Sequence, residues 1–306
     1  MDLVWQLLLL VVGFAMLVKG ADWFVDGSSS IAAKFKIPQM VIGLTIVAMG
    51  TSAPEAAVSI SAALKGNADI TVGNIVGSNI LNILIILGIS SVIISLKVAK
   101  STLKIEGPFM ILITLLLLGL GYRGTINAIS GIIFLVLFAG YLFYLFIVAK
   151  NNPEECEEIK EMTALKAIVL TVTGLVLIVW GSTVTVDAAS YIAKALGLTE
   201  RFIGLTIVAL GTSLPELFTS VIAAKKGNAD IAIGNIVGSN IFNILFVIGL
   251  SAIIVPVPFA EGFRFDTIIA ALAGVMLLLC SLKGSLKRWA GILMLLSYCA
   301  YFAVIF

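Results

Sequence analysis

Two glutamates, Glu55 and Glu216, each interrupt a long apolar run. An acidic residue at the centre of a membrane-crossing helix costs roughly 2.5–3.5 kcal/mol, and the neighbouring residues suggest what offsets it. Positions i and i+4 of a helix share a face, so Thr51 lies beside Glu55 with Ser52 next to it, and Thr212 and Ser213 stand in the same relation to Glu216. Pro54 and Pro215 lack an amide hydrogen, which frees the carbonyls of Gly50 and Gly211 four residues earlier. The nearby carbonyls of Ala48 and Ala209 then become candidate ligands. In each half a following segment carries a polar stripe, Asn74, Ser78 and Asn82 in one and Asn235, Ser239 and Asn243 in the other. Two carboxylates with hydroxyl, amide and backbone oxygens, and neither sulfur nor imidazole, suit a hard cation such as calcium or sodium rather than zinc or copper. Two negative charges balance one divalent ion or two monovalent ones, so competition for one site follows. The alternative is structural: neutral glutamates hydrogen-bonded within the bundle, and small polar residues as contacts between membrane helices. Packing suits Asn74 and Asn235 as well as binding does.

The same residues occur twice because the chain is a duplication. A shift of 161 positions brings 43–55 onto 204–216 with eleven of thirteen residues identical, and brings 66–69 and 73–82 onto 227–230 and 234–243. The matched positions are mostly Gly, Pro, Thr, Ser, Asn and Glu, which apolar composition alone does not produce. Apolar runs between breakers predict an all-α membrane protein of ten transmembrane helices, near 3–25, 38–64, 70–96, 105–121, 125–149, 164–188, 200–224, 231–255, 266–282 and 288–305. Each repeat holds five. An odd number reverses the second copy, so residues 1–149 and 164–306 are predicted as inverted repeats, joined by an acidic linker at 150–163. Loops on the side shared with the N-terminus hold five basic residues and the opposite loops thirteen, with Lys19 inside the first helix. Basic residues accumulate in cytoplasmic loops, which predicts a cytoplasmic linker and two extracellular termini in the plasma membrane. The first segment, with no basic flank or cleavage site, is expected to be retained.

Composition narrows the chemistry further. The chain is 60% hydrophobic and 12% charged, against about 45–50% and about 25% in soluble domains. Histidine is absent, which removes the usual general base and the commonest metal ligand. Cys156, Cys280 and Cys299 follow no metal or disulfide spacing. A net charge of +2 spread over short loops argues against nucleic acid. Asp69 and Asp230, just before predicted helices, read as N-caps, and Asp26 and Asp187 correspond between the repeats without an assigned role.

The paired motifs 50–55 with 77–82 and 211–216 with 238–243 resemble the calcium/cation antiporter superfamily, in particular the prokaryotic sodium/calcium exchangers. The resemblance covers essentially the whole chain. It implies a site shared by overlapping sodium and calcium positions between the second, third, seventh and eighth helices. Carried over by matching positions, the metal ligands are the side chains of Thr51, Ser52, Glu55, Ser78, Asn82, Thr212, Ser213, Glu216, Ser239 and Asn243, with the carbonyls of Ala48 and Ala209. It also implies that the first and sixth helices slide as a gate. Where this chain has Asn243, the potassium-dependent branch has aspartate, which argues against potassium dependence and leaves the site's charge on the two glutamates. The expected activity is electrogenic sodium/calcium exchange by alternating access, with proton/calcium antiport as the alternative. The transported ions are Ca2+ and Na+, with no cofactor and no enzymatic reaction. The partners are these cations and the lipid bilayer, and a monomer suffices for transport. A passive channel would use similar ligands, but paired broken helices favour a transporter. A serine hydrolase at Ser52 or Ser213 lacks a histidine to activate it.

Overall fold

The computed structural model describes residues 3–64, 68–151, 162–197 and 209–305. Cys156, most of the expected linker and the start of the expected helix 200–224 lie outside them. Among the described residues the chain is nearly all helix, and eight helices are long and apolar enough to cross a membrane. The pair Gln39–Thr51 and Ala53–Leu64, bent by 49°, makes a ninth if taken as one span.

Burial sorts these helices into an inner and an outer set. The spans Thr71–Ile93 and Ala229–Ile254 have 78% and 83% of their central windows buried, against 17–33% for the other six. The inner two carry the polar stripes. The outer ones turn residues such as Val11, Val136, Trp180 and Leu296 outward, as expected where lipid is the solvent.

Helices Leu3–Lys34 and Ala164–Ala195 run antiparallel across this core, each 32 residues long. Both outrun the predicted segments because Gly27 and the residues after Ala188 stay helical with no proline to stop them: the first turns only at Lys36, at φ 52°, just before Pro38. Glycine sets their separation. A Cβ on Gly20 would lie 2.9 Å from the Gly174 carbonyl, and one on Gly174 would lie 2.5 Å from the Phe24 amide nitrogen. Small residues that let backbones approach are the usual means of packing helices in a membrane.

Each broken helix restarts at a serine. Ser52 and Ser213 adopt φ/ψ of −81/7° and −90/4°, and new helices begin at Ala53 and Leu214. Proline in the first turn of the new helix removes a donor that had no partner there. The glutamates therefore lie in the first turn of a restarted helix rather than at mid-helix, where the N-terminal end of the helix dipole favours negative charge by about 0.3–1 kcal/mol.

Wider turns mark other site segments. π-helical turns run Gly43–Val47, Asn82–Leu87, Thr102–Glu106 and Asn243–Ile248, so two of them open on the stripe asparagines. Periodicity at 3.6 residues does not reveal such turns, which recur at functional sites. Two short antiparallel pairs, also unanticipated, tie the halves together: Leu96–Lys97 with Ser285–Leu286, and Thr125–Ile126 with Val257–Pro258. The helices begin one and two residues earlier than capping by Asp69 and Asp230 would place them. Asn228 precedes the helix Ala229–Phe242 with Asp230 in its first turn, and Ala68 precedes Asp69–Leu81.

Candidate cation-binding site

The two restarted helices meet at the centre of the inner pair. The Ser52 hydroxyl, from the first half, donates to Glu216 Oε1 at 2.7 Å, and the Ser213 hydroxyl, from the second, donates to Glu55 Oε1 at 3.2 Å. These crossed bonds put both carboxylates in one volume. Each glutamate is 1% exposed. Among the described residues neither is paired with a lysine or arginine, and Oε2 of each has no hydrogen-bond partner.

The stripe asparagines repeat this arrangement. Asn82 Nδ2 donates to Asn240 Oδ1 at 2.9 Å and Asn243 Nδ2 to Asn79 Oδ1 at 3.1 Å, while the Oδ1 atoms of Asn82 and Asn243 are buried without a partner. Four buried oxygens, two from each half, thus accept nothing from the described residues. With the carboxylates ionised all four are acceptors, and leaving acceptors buried and unmade is costly.

The remaining predicted residues surround them. Ser239 donates to the Ala48 carbonyl at 3.3 Å, and that carbonyl also takes the Ser52 amide at 3.0 Å. Ser78 lies 3.5 Å from the Ser213 hydroxyl. Thr51 is buried, its hydroxyl donating to Asn235 Oδ1 at 2.9 Å, which leaves its oxygen lone pairs available. Thr212 is half-buried at the end of the short helix Ala209–Thr212. Ala209 opens that helix.

One expectation changes. The Gly211 carbonyl released by Pro215 is not free: Ser182 on the long helix Ala164–Ala195 donates to it at 2.6 Å. Asn74 and Asn235, for which packing and binding were equally suited, donate to the Glu55 and Glu216 backbone carbonyls at 3.3 and 3.4 Å and to the hydroxyls of Ser59 and Ser220 at 2.9 Å. Sequence reasoning missed Asn79 and Asn240. Each donates to the other's backbone carbonyl at 3.2 Å and accepts from the stripe asparagine of the opposite half. Their presence inside both copies of the repeated motif was the available signal.

A buried, all-oxygen, two-carboxylate centre between two broken helices defines a membrane carrier of hard cations. The sequence profile of the family described as sodium/calcium exchanger protein matches residues 5–147 and 166–306. The chain is 41% identical to the CaxA antiporter candidate of Alkalimonas amylolytica, over 97% of both chains, and 33% identical to the sodium/calcium exchanger MaX1 of Methanosarcina acetivorans, over 98% of both. It is 36% identical to the inner membrane protein YrbG of Escherichia coli K12, over 81% of this chain and 79% of that one. Its fold matches the sodium-calcium exchanger NCX_Mj, from crystals soaked with zero Na+ and Ca2+, at a TM-score of 0.88, 32% identity and full coverage of both chains. The chain belongs to the sodium/calcium exchanger protein family, and is an integral membrane cation antiporter of the prokaryotic type.

Proposed function

We propose that the protein exchanges sodium for calcium by alternating access at this centre. The observation that carries the reading is the set of four unpartnered oxygens, Oε2 of Glu55 and Glu216 and Oδ1 of Asn82 and Asn243. Calcium takes 6–8 oxygens, and the hydroxyls of Thr51, Ser52, Ser78, Thr212, Ser213 and Ser239 with the carbonyls of Ala48 and Ala209 supply the rest. Sodium accepts the same donor types and competes for the same volume. If about three sodium ions exchange per calcium, as the family resemblance implies, transport moves net charge and responds to voltage at roughly 2.3 kcal/mol per charge per 100 mV.

The proposed frame is ten transmembrane helices in two inverted repeats, 1–149 and 164–306, with the linker 150–163 in the cytoplasm and both termini outside the plasma membrane. The duplicated breaks at Ser52 and Ser213 and the basic-residue asymmetry of the loops support it. Helices Leu3–Lys34 and Ala164–Ala195, packed glycine to glycine, serve as the sliding gate.

Proton/calcium antiport is the second reading. It is favoured by the lack, among the described residues, of a basic partner at either glutamate, since a buried carboxylate can take up a proton in place of a metal. Purified protein in sealed vesicles distinguishes the two. Sodium-loaded vesicles diluted into sodium-free medium should accumulate labelled calcium, with further uptake when the interior is made positive by an inward potassium diffusion potential. Uptake that ignores sodium and follows an imposed pH gradient would transfer the assignment to proton exchange.

A further inference from the structure

A third buried carboxylate belongs to neither of the broken helices that form the cation centre. Glu106 ends the π-helical turn Thr102–Glu106 and is 1% exposed, facing the helix Ala128–Asn151. Its Oε1 accepts the Tyr144 hydroxyl at 2.6 Å, while its Oε2 and the hydroxyl of Tyr141 are both buried without a partner. These groups line a cavity of about 250 Å³ whose other walls are Ile105, Phe109, Val136, Leu137 and Gly140. Ile105, Val136 and Gly140 are exposed, so the cavity opens on the outer, lipid-facing surface of the bundle. Aromatic rings stack along it, Phe109 on Tyr141 at 5.6 Å and Tyr141 on Tyr144 at 6.4 Å.

The depth of the cavity constrains its occupant. Glu106 is six residues past Lys100 and Tyr144 six residues before Lys150, which at 1.5 Å per residue is roughly 9 Å below a basic rim. Lys104, two residues from Glu106, is exposed on a different face. Calcium does not fit, because it takes at least six oxygens and the side chains lining the cavity offer only those of Glu106, Tyr141 and Tyr144. Two unpartnered acceptors beside aromatic faces instead suit a cation that brings N–H donors of its own.

We propose that this pocket binds a primary ammonium carried on an apolar chain, with an aminophospholipid headgroup or a free alkylamine as the two possible sources. A quaternary ammonium has the charge and the affinity for aromatic faces but no N–H for Glu106 Oε2 or the Tyr141 oxygen, so the pocket discriminates ethanolamine from choline headgroups. The other half lacks the feature. At an offset of 160 Glu106 corresponds to Asp266 and Tyr141 to Tyr301, but Tyr301 donates to Asp266 at 2.9 Å, and the carboxylate is absent from the walls of the neighbouring cavity of about 350 Å³.

The test equilibrates the full-length protein with equal amounts of phosphatidylethanolamine and phosphatidylcholine of identical chains and counts the lipids retained by native mass spectrometry. Parallel arms use dodecylamine and dodecyltrimethylammonium. Charge-assisted hydrogen bonds imply a preference of about tenfold for the primary ammonium in each pair. Glu106→Gln and Tyr141→Phe should each abolish it and Asp266→Asn should not; Tyr141→Phe, nearly isosteric, keeps the test open if Glu106→Gln fails to fold. Preference for dodecylamine without preference for the ethanolamine lipid supports the site and assigns it to a free amine. Equal retention within both pairs, or a preference that survives both Glu106→Gln and Tyr141→Phe, overturns the proposal.

Discussion

At the residue scale the site is two shells of amides and hydroxyls around two carboxylates. The outer shell is the part that sequence reading undervalued. Asn79 and Asn240 hold Asn243 and Asn82 by their Nδ2 atoms, which turns each free Oδ1 away from the bond. Removing such an orienting partner typically costs 10–100-fold in metal affinity. Asn240→Ala should therefore weaken calcium binding by about tenfold while leaving both glutamates in place. Calorimetric titration of the purified variant checks this, and unchanged affinity would mean that Asn82 is not held for the ion. The types of the inner residues were readable because oxygen-only side chains in an apolar chain are conspicuous. Their partners were not, because the crossed bonds Ser52 to Glu216 and Ser213 to Glu55 join residues 164 and 158 positions apart.

At the element scale the broken helices and the long antiparallel pair carry the argument. Pro54 and Pro215 announced the breaks, but their location at Ser52 and Ser213 depends on where the helix restarts, which composition does not specify. The π-helical turns at Asn82 and Asn243 left no signature in the apolar period. The long pair slides, in the proposed mechanism, over a seam of glycines. Gly20→Ala would place a methyl group 2.9 Å from the Gly174 carbonyl and from the Ile178 amide nitrogen. Overpacking of this kind costs about 1–3 kcal/mol, so the variant should bind calcium with near-normal affinity but exchange it more than tenfold more slowly. Wild-type exchange rates in vesicles would show that the pair does not move across that seam. One end of the same helix is pinned by Lys226, whose Nζ lies 2.7 Å from Asp22 Oδ1 and 2.6 Å from Asp26 Oδ1. Beside it the Asn228 side chain donates to Ser29, which is 3% exposed. In a chain whose native cysteines are serine, a cysteine replacing Ser29 should label faster when Lys226→Gln is also present. Equal labelling would assign the ion pairs no part in holding that end shut.

At the scale of the whole molecule the duplication is what made the fold legible. An offset of 161 with an odd helix count predicts halves of opposite orientation, and the structure arranges the halves reciprocally: a serine from each meets the glutamate of the other, and Asn79 and Asn240 exchange backbone bonds. What the repeat could not reveal is where the halves differ. Ser182, which binds the Gly211 carbonyl, corresponds to Ala21 in the first half, so the two broken helices are not equally tethered. If one ion is shared, the charge that holds it comes from both halves, and neither half suffices. Breaking one member of a buried, mutually dependent set typically costs more than its share. The direct measurement is the calcium stoichiometry of the purified protein by calorimetry, for the parent chain and for Glu55→Gln and Glu216→Gln singly. One ion per chain in the parent, and affinity lowered more than a hundredfold in each single variant, is the predicted result. Two ions per chain, or a full-strength site surviving in either variant, would contradict a shared centre.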